Sequence, residues 1–145
     1  MATISFGNYN VSEMSYKENK NLNMEKTEQF NVENDFSAKV AFTDEKAYII
    51  LDCNIGDESE DCPFIINLKM KAYFDLEFDS EKQDDRDEIK RLLSVNAIAI
   101  LYPYIRSIVT DLTSKSNTFE PFIMPVVNIA KHMNDNNKIE FLDIE

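Results

Sequence analysis

Apolar and polar residues alternate along the first half of the chain and follow a helical period in the second half. The clearest alternation runs from Phe64 to Phe78, where every second residue is apolar and most of the intervening residues are polar. This period of two predicts a long strand buried on one face. Weaker alternation over residues 3–16, 29–42 and 47–54 predicts three further strands. Strands with one apolar and one polar face are typical of an antiparallel sheet.

The second half predicts two helices. Apolar residues recur at spacings of three and four between Ile89 and Leu112, after acidic residues that suit the start of a helix near residue 85. Pro103 lies inside this pattern and predicts a kink, because proline removes a backbone donor. Residues 126–133 predict a short second helix, and residues 134–145 a polar, flexible tail. The expected fold is α+β: a four-stranded antiparallel sheet packed on one face by a long kinked helix and a short C-terminal helix, in one domain spanning 1–145.

The connection between the two predicted helices is unusually apolar for a loop. It contains two prolines, Pro121 and Pro125, together with Phe119, Phe122, Ile123, Met124, Val126 and Val127. Loops normally lie on the surface and are polar. The residues alone allow two interpretations: the connection forms a wall of a binding groove, or it caps the apolar face of the sheet. Tyr102 and Tyr104 are equally open to roles in a groove floor or in the core.

The same region carries a family resemblance. Ile100, Leu101, Tyr102, Pro103, Tyr104 and Arg106 match an Ile-Leu-Phe-Pro-Tyr-Ala-Arg helix motif, and Met124, Val127 and Asn128 fall on a Leu-Ala-Pro-Val-Asn segment. These residues resemble the signature region of the SecB family of tetrameric protein-export chaperones, over about residues 86–133. Three positions depart from the family pattern: Ile98 replaces a second proline, Lys71 and Ala72 replace a Gly-Gly pair, and Asn67 replaces an acidic residue that meets the SecA motor.

The resemblance implies a groove that binds extended, unfolded polypeptide clients. The implied client-binding residues are Phe64, Ile66, Leu68, Met70, Tyr102, Phe119, Phe122, Met124, Val126, Ile129 and Met133. It also implies a homo-oligomer, a dimer of dimers, in which the first helix contributes an interface; the candidates are Ile89, Leu93, Asn96 and Ile100. The implied partners are unfolded clients and the SecA translocation motor.

The composition argues against several classes of function. There are 27 acidic and 15 basic residues, a formal net charge of −12, which opposes binding to a phosphate backbone and makes nucleic acid an unexpected partner. The N-terminus lacks the features of a signal peptide, and no run approaches the roughly 20 apolar residues that span a bilayer. These features predict a cytoplasmic protein without membrane insertion. Cys53 and Cys62 are expected to remain free thiols in a reducing compartment.

Catalytic and metal-binding patterns are not apparent in the sequence. The single histidine, His132, has no partner at metal-ligand spacing, and neither acidic cluster reproduces a calcium-binding loop. Two glycines are too few for a phosphate-cradling loop. The sequence therefore predicts a protein that is not an enzyme and uses neither metal nor cofactor.

The leading hypothesis from these observations is an ATP-independent chaperone that holds unfolded or precursor polypeptides, with protein export as the role that the resemblance implies. One alternative is a chaperone dedicated to a single partner, such as that of a toxin–antitoxin module. Another is a structural oligomer with no open groove.

Overall fold

The computed structural model describes residues 1–142, which form one mixed sheet covered by helices. The strands follow the spatial order β1-β4-β3-β2-β5. Their bounds are β1 Thr3–Glu18, β2 Asn34–Phe42, β3 Lys46–Ile55, β4 Phe64–Glu77 and β5 Ile139–Phe141. The first four strands pair antiparallel, whereas β5 pairs parallel to β2.

The α+β prediction is confirmed, but the predicted four-stranded antiparallel sheet is wrong in strand number and in type. The fifth strand lies within residues 134–145, for which the sequence predicted a flexible tail. Three residues are too short to show a clear alternation, and the tertiary contact with β2 supplies the missing stabilisation. Strand β2 also begins later than predicted, at Asn34 rather than residue 29.

Strand β1 is the long edge strand, and two β-bulges bend it. The register against β4 shifts between Phe6 and Asn8 and again between Val11 and Glu13. Gly7 lies at the first shift, where an added Cβ would meet the carbonyl oxygen of Tyr73 at 3.2 Å. The lack of a side chain therefore permits this close approach of two strands.

A single helical rod covers the inner face of the sheet. It consists of α1 Gln83–Arg91, a π-helical turn at Leu92–Asn96 and α2 Ala97–Ser116. Pro103 lies within α2, and the described departure from α-helical hydrogen bonding is the π turn, upstream of that proline. A π turn inserts one residue and so shifts the buried face around the helix. The sequence predicted irregularity in this rod but assigned it to the proline.

The rod is longer and more apolar than the sequence pattern predicted. By length and composition alone, the helix Gln83–Ser116 could cross a membrane. In the fold, one side of this helix belongs to the core, because Leu93, Ala97, Leu101, Ile105 and Val109 are buried against the other elements. We therefore assign its apolar character to packing against the sheet.

The core lies between the inner face of the sheet and the rod. From Phe64 to Leu76 every second residue of β4 is buried, in agreement with the alternation in its sequence. A short helix, α3 Ile129–Asp135, completes the cover near β2 through buried Ile129, Ala130 and Met133. Residues 117–128, between α2 and α3, run beside α2.

Candidate functional site

Residues 117–128, here called the connector, form an extended segment between α2 and α3. Asn117 ends α2 in the left-handed conformation, with a φ of 53°. Asparagine tolerates this conformation better than most residues, and it turns the chain away from the helix axis. Pro121 and Pro125 restrict the backbone that follows. The connector therefore returns beside α2 in an extended form, outside any helix or strand.

Side chains of α2 hold the backbone of the connector. Three of them donate hydrogen bonds to its carbonyl oxygens: the Tyr102 hydroxyl to Pro125 at 2.7 Å, Arg106 Nε to Met124 at 3.0 Å and Thr110 Oγ1 to Phe122 at 3.3 Å. The Phe122 amide in turn donates to Thr113 Oγ1 at 2.8 Å.

Residues 102, 106, 110 and 113 are spaced by four, four and three, so their side chains project from one face of the helix. We call these four residues the polar stripe. Because its bonds use the connector backbone, they leave the connector side chains free to face either the core or solvent.

The connector divides its apolar side chains between the core and solvent. Met124 is fully buried, and Phe122 packs edge-on against Phe64 with ring centroids 5.6 Å apart. By contrast Ile123 is 68% exposed and Val126 is 83% exposed, with Val127 also exposed. An exposed apolar side chain is unremarkable alone, but several in one segment are typical of a binding surface.

An aromatic contact ties one end of this surface to a neighbouring loop. Phe119 packs edge-on against Phe30, with ring centroids 5.2 Å apart. Phe30 lies before β2 and is itself 38% exposed. The apolar surface therefore extends from the connector onto the loop between β1 and β2.

The predicted strand wall of the groove lies in the core. Phe64, Ile66, Leu68 and Met70 are each at most 3% exposed. The rod, the connector and α3 cover this face in the described conformation, and an open groove at these residues stays a prediction. The alternating pattern in β4 marks a buried face, and it does not distinguish burial under the chain's own helix from burial under a partner.

The remaining predicted client-binding residues fall into two groups. Tyr102, Ile129 and Met133 are buried with Met124, whereas Val126 is exposed and Phe119 and Phe122 are half-buried. A narrow apolar gap lies between the sheet and the helices, too tight to hold a water molecule. It is lined by Phe36, Leu51, Ile98, Tyr102, Ile105, Ile129 and Met133.

The predicted oligomer interface is likewise divided. Ile89 and Leu93 are fully buried within the chain itself and cannot present surface to another copy. Asn96 and Ile100 are exposed, as is the neighbouring Val95. The π turn contains both a buried member of this set, Leu93, and an exposed one, Asn96.

Two side chains near the site, Tyr102 and Cys53, have raised pKa values. Burial raises the pKa of the Tyr102 hydroxyl, an effect that the charge of Arg106 partly offsets, so this group stays protonated as a donor. Burial and, to a lesser extent, Asp52 raise the pKa of the Cys53 thiol, which opposes formation of a reactive thiolate. Within residues 1–142, no group of three or more His, Cys, Asp or Glu side chains is placed to hold a metal ion.

Sequence reasoning missed three residues of the polar stripe as part of the site: Arg106, Thr110 and Thr113. Their signal was present, because they recur at helical spacing along α2. A serine or threonine in a helix often bonds to its own preceding turn, so the sequence does not reveal a distant backbone partner. Thr113 does both, since its hydroxyl also donates to Val109 O at 2.9 Å.

Known proteins resemble this chain in sequence and in fold. It is 22% identical over 133 residues to an uncharacterized protein of Methanocaldococcus jannaschii, covering 90% of this chain and 82% of that protein. It is 31% identical over 83 residues to the protein-export protein SecB of Anaplasma phagocytophilum, which covers 57% of this chain and 51% of that protein.

A solved structure and a family profile extend these similarities. The structure of a Mycobacterium tuberculosis SecB-like chaperone, in complex with a ChAD peptide from the HigA1 antitoxin, superposes with a TM-score of 0.67. The match has 14% sequence identity and covers 86% of this chain and 90% of that one. The profile of the SecB family, described as preprotein translocase subunit SecB, matches residues 3–138. With a match of that extent, together with the fold, the chain belongs to the SecB family.

Proposed function

We propose that this protein is an ATP-independent chaperone of the cytoplasm that binds extended segments of unfolded polypeptides and keeps them from aggregating. The observation that carries the proposal is the exposed apolar side of the connector, at Ile123, Val126 and Val127. An extended backbone with outward apolar side chains offers a long, narrow surface suited to another extended chain. Membership of the SecB family supports the same interpretation.

Binding would depend on burial of apolar surface. Each Å² of apolar surface removed from water contributes about 25 cal/mol, and ordering of the client offsets part of that gain. Three or four exposed side chains therefore give weak contacts individually, so a client would need several of them at once. Such a surface selects for apolar character and extended form rather than for one sequence.

Charge would bias the choice of client. The formal net charge of −12 attracts basic segments and raises the rate at which they meet the surface. Apolar segments flanked by Lys or Arg are therefore the favoured ligands.

The buried predicted residues could join the site if the connector moved. Four hydrogen bonds from the polar stripe hold it. Each such bond contributes only about 1 kcal/mol net, because water replaces it when it breaks. Displacement of the connector would expose Met124 and uncover Phe64, whose ring Phe122 contacts. We therefore retain Phe64, Ile66, Leu68, Met70, Tyr102, Phe119, Phe122, Met124, Val126, Ile129 and Met133 as the proposed client-binding set.

The proposed assembly is a homo-oligomer. The exposed residues of the rod, Val95, Asn96 and Ile100, give it an apolar patch on the side away from the core. Sedimentation of the purified protein tests this directly, and a monomer at micromolar concentration would contradict it.

A second candidate function is a chaperone dedicated to one partner. Asn67 lies on the outer face of β4, between Ser15 and Asn54, where the resemblance leads one to expect an acid that meets SecA. These three uncharged side chains lie side by side on three neighbouring strands, so a partner that recognises an acidic side chain would not find one there. The M. tuberculosis SecB-like chaperone of the same fold was solved with an antitoxin peptide. A dedicated chaperone would bind one partner tightly and ignore unrelated unfolded proteins.

Aggregation of lysozyme on reduction by dithiothreitol provides the test. Without nucleotide, the wild-type protein is expected to suppress light scattering in proportion to its concentration. The Ile123→Ser/Val126→Ser double variant should lose most of this effect, because it removes the two most exposed apolar side chains of the connector.

The matched control is Tyr73→Ser, since Tyr73 is 39% exposed but lies on the outer face of β4, away from the connector. It should suppress aggregation as the wild type does. Equal loss in both variants would show that any exposed apolar residue serves, and no suppression by the wild type would contradict the proposed function.

A further inference from the structure

The C-terminal strand β5 occupies an edge of the sheet that would otherwise be open. Ala38 N donates to Lys138 O at 2.8 Å, and Leu142 N donates to Val40 O at 2.8 Å. The side chains add an ion pair between Lys138 and Asp35 at 3.1 Å. On the other flank of β2, strand β3 pairs along the whole strand. The edge of β2 therefore accepts a short extended segment, and the chain itself supplies one.

The attachment of β5 is small compared with every other strand pairing. It comprises three residue pairs in parallel orientation, which is slightly less stable per residue than the antiparallel form. Ile139 and Phe141 are only half-buried, and Glu140 is exposed. The strand follows a turn at Asn137, which has a φ of 55°. Release of β5 would thus break few contacts and leave the four long strands paired.

The slot under β5 has the properties of a general polypeptide site. An open strand edge binds an added strand through main-chain hydrogen bonds, which do not depend on sequence. Phe141 packs edge-on against Phe42 at 6.3 Å, and Lys90 Nζ lies 5.9 Å from its ring centre. Asp35 faces the position occupied by Lys138. The slot therefore fits an extended segment with a basic residue followed by alternating apolar residues.

The slot and the connector are joined through buried side chains. Upstream of the β5 contact, β2 continues through Phe36, whose ring lies 6.3 Å from that of Tyr102. The hydroxyl of Tyr102 bonds to the connector at Pro125. The buried Oδ1 of Asn34, two residues before Phe36, has no hydrogen-bond partner among the described residues. A client at the edge of β2 would thus lie next to side chains that also hold the connector, and β5 occupies that edge.

We propose that β5 is a built-in competitor: it occupies the edge of β2 when no client is bound, and an unfolded segment of basic and apolar character displaces it. This inference rests on the proposed function and extends the client site onto the sheet edge. The strand protects the edge from pairing with other copies and lowers the affinity for clients. When β5 is released in only a fraction of the molecules, the apparent affinity for a client is the intrinsic affinity multiplied by that fraction.

The test compares two substitutions at one position in the full-length chain. Glu140→Pro removes the amide that, in a parallel ladder of this register, bonds to β2, whereas Glu140→Ala removes the same carboxylate and keeps the amide. Phe141→Asp provides a second way to release the strand, because it places a carboxylate against Phe42. Amide hydrogen exchange at Ala38, without client, reports release of β5.

Client affinity is measured separately, with lysozyme kept unfolded by reduction and carbamidomethylation. Glu140→Pro and Phe141→Asp should speed exchange at Ala38 and bind this client roughly ten-fold more tightly, as expected if β5 is docked about nine-tenths of the time. Glu140→Ala should match the wild type in both measurements. A synthetic peptide of residues 137–142 should reduce client binding to Glu140→Pro.

Three outcomes would overturn the proposal. If neither variant speeds exchange at Ala38, the strand is not displaceable. If exchange at Ala38 rises but the affinity for unfolded lysozyme stays at the wild-type value, the edge of β2 is not a client site. The proposed chaperone function is then judged by the aggregation assay alone. If neither wild type nor variants bind the client, the proposed function itself fails and the competition falls with it.

Discussion

Strand β4 and the connector are both rich in apolar side chains, yet they differ in their relation to solvent. In β4 the alternate residues from Phe64 to Met70 are buried beneath the helices. In the connector the apolar residues are divided, with Met124 buried and Ile123 and Val126 exposed. The sequence predicted both as walls of one groove. The difference shows that a run of apolar residues in the sequence indicates a surface that avoids water. The tertiary structure decides whether the chain's own segments cover that surface or leave it exposed to a partner.

The backbone explains why the two segments differ. The amides and carbonyls of β4 bond to β1 on one side and to β3 on the other. The connector is held by the side chains of the polar stripe instead. A segment held by side chains can be displaced without disrupting the sheet. We therefore expect the site to have one mobile wall, the connector, and one fixed wall, the strand wall on β4.

Hydrogen exchange should give the largest contrast between them. Central amides of β4, such as that of Leu68, lie in the middle of the sheet and should exchange only through near-global unfolding. The Ile123 amide has no hydrogen-bond acceptor among the described residues and should exchange several orders of magnitude faster. Exchange measured by NMR or mass spectrometry on the free protein tests this. Similar protection of both segments from exchange would contradict the distinction between a mobile connector and a fixed β4.

Leu68→Ala should separate the roles of the segments through stability. Leu68 is 1% exposed, so its truncation should lower the free energy of unfolding by about 2–5 kcal/mol, through lost burial and a residual cavity. Urea titration measures the loss. Ile123→Ala is the matched control, with an expected change below about 0.5 kcal/mol. A smaller loss of stability for Leu68→Ala than for Ile123→Ala would contradict the assignment of Leu68 to the core and of Ile123 to the surface.

Tyr102→Phe should have a smaller effect, confined to the connector. It removes the hydroxyl bond to Pro125 but keeps the ring against Phe36. We expect a loss of about 1 kcal/mol in the free energy of unfolding, together with faster exchange in the connector. Tyr104→Phe is the control, because the Tyr104 hydroxyl has no hydrogen bond within residues 1–142.

The pH dependence of stability provides a second measurement for the same substitution. Burial raises the pKa of Tyr102 in the folded protein, so folding favours the protonated phenol. Its contribution to stability is full below the ordinary tyrosine pKa of about 10 and is lost as pH rises through the folded value. Unfolding between about pH 9 and 11 should therefore show a steeper loss of stability for the wild type than for Tyr102→Phe. Identical profiles would place the titrating group elsewhere.

The fold could be predicted in large part because its elements carry strong local patterns. The alternation in β4 and the helical spacing from Ile89 to Leu112 each encode one buried face. Strand β5 could not be predicted, since three residues after a polar turn carry no period and their pairing with β2 is a tertiary contact. The π turn at Leu92–Asn96 was hidden because the buried residues around it, Ile89, Leu93 and Ala97, keep a spacing of four that an α-helix also gives.

The candidate site was predicted in location rather than in detail. Its region was identified from two prolines and a dense apolar run between two helices, together with the resemblance to the SecB family. The exposure of Val126 and the burial of Phe64 depend on which side of the connector faces α2. That orientation is set by the hydrogen bonds of the polar stripe, which join residues far apart in the chain.

The sequence by itself determined the α+β class, the long strand, the long helix and the family, because each rests on local periodicity or on a contiguous motif. Only the tertiary structure decided that the strand wall lies in the core, that the connector presents half of its apolar residues to solvent, and that the C-terminal residues form a fifth strand. The physical reason is that burial depends on the competition between a chain's own segments for the same apolar surface, and that competition is resolved only when all of them are packed together.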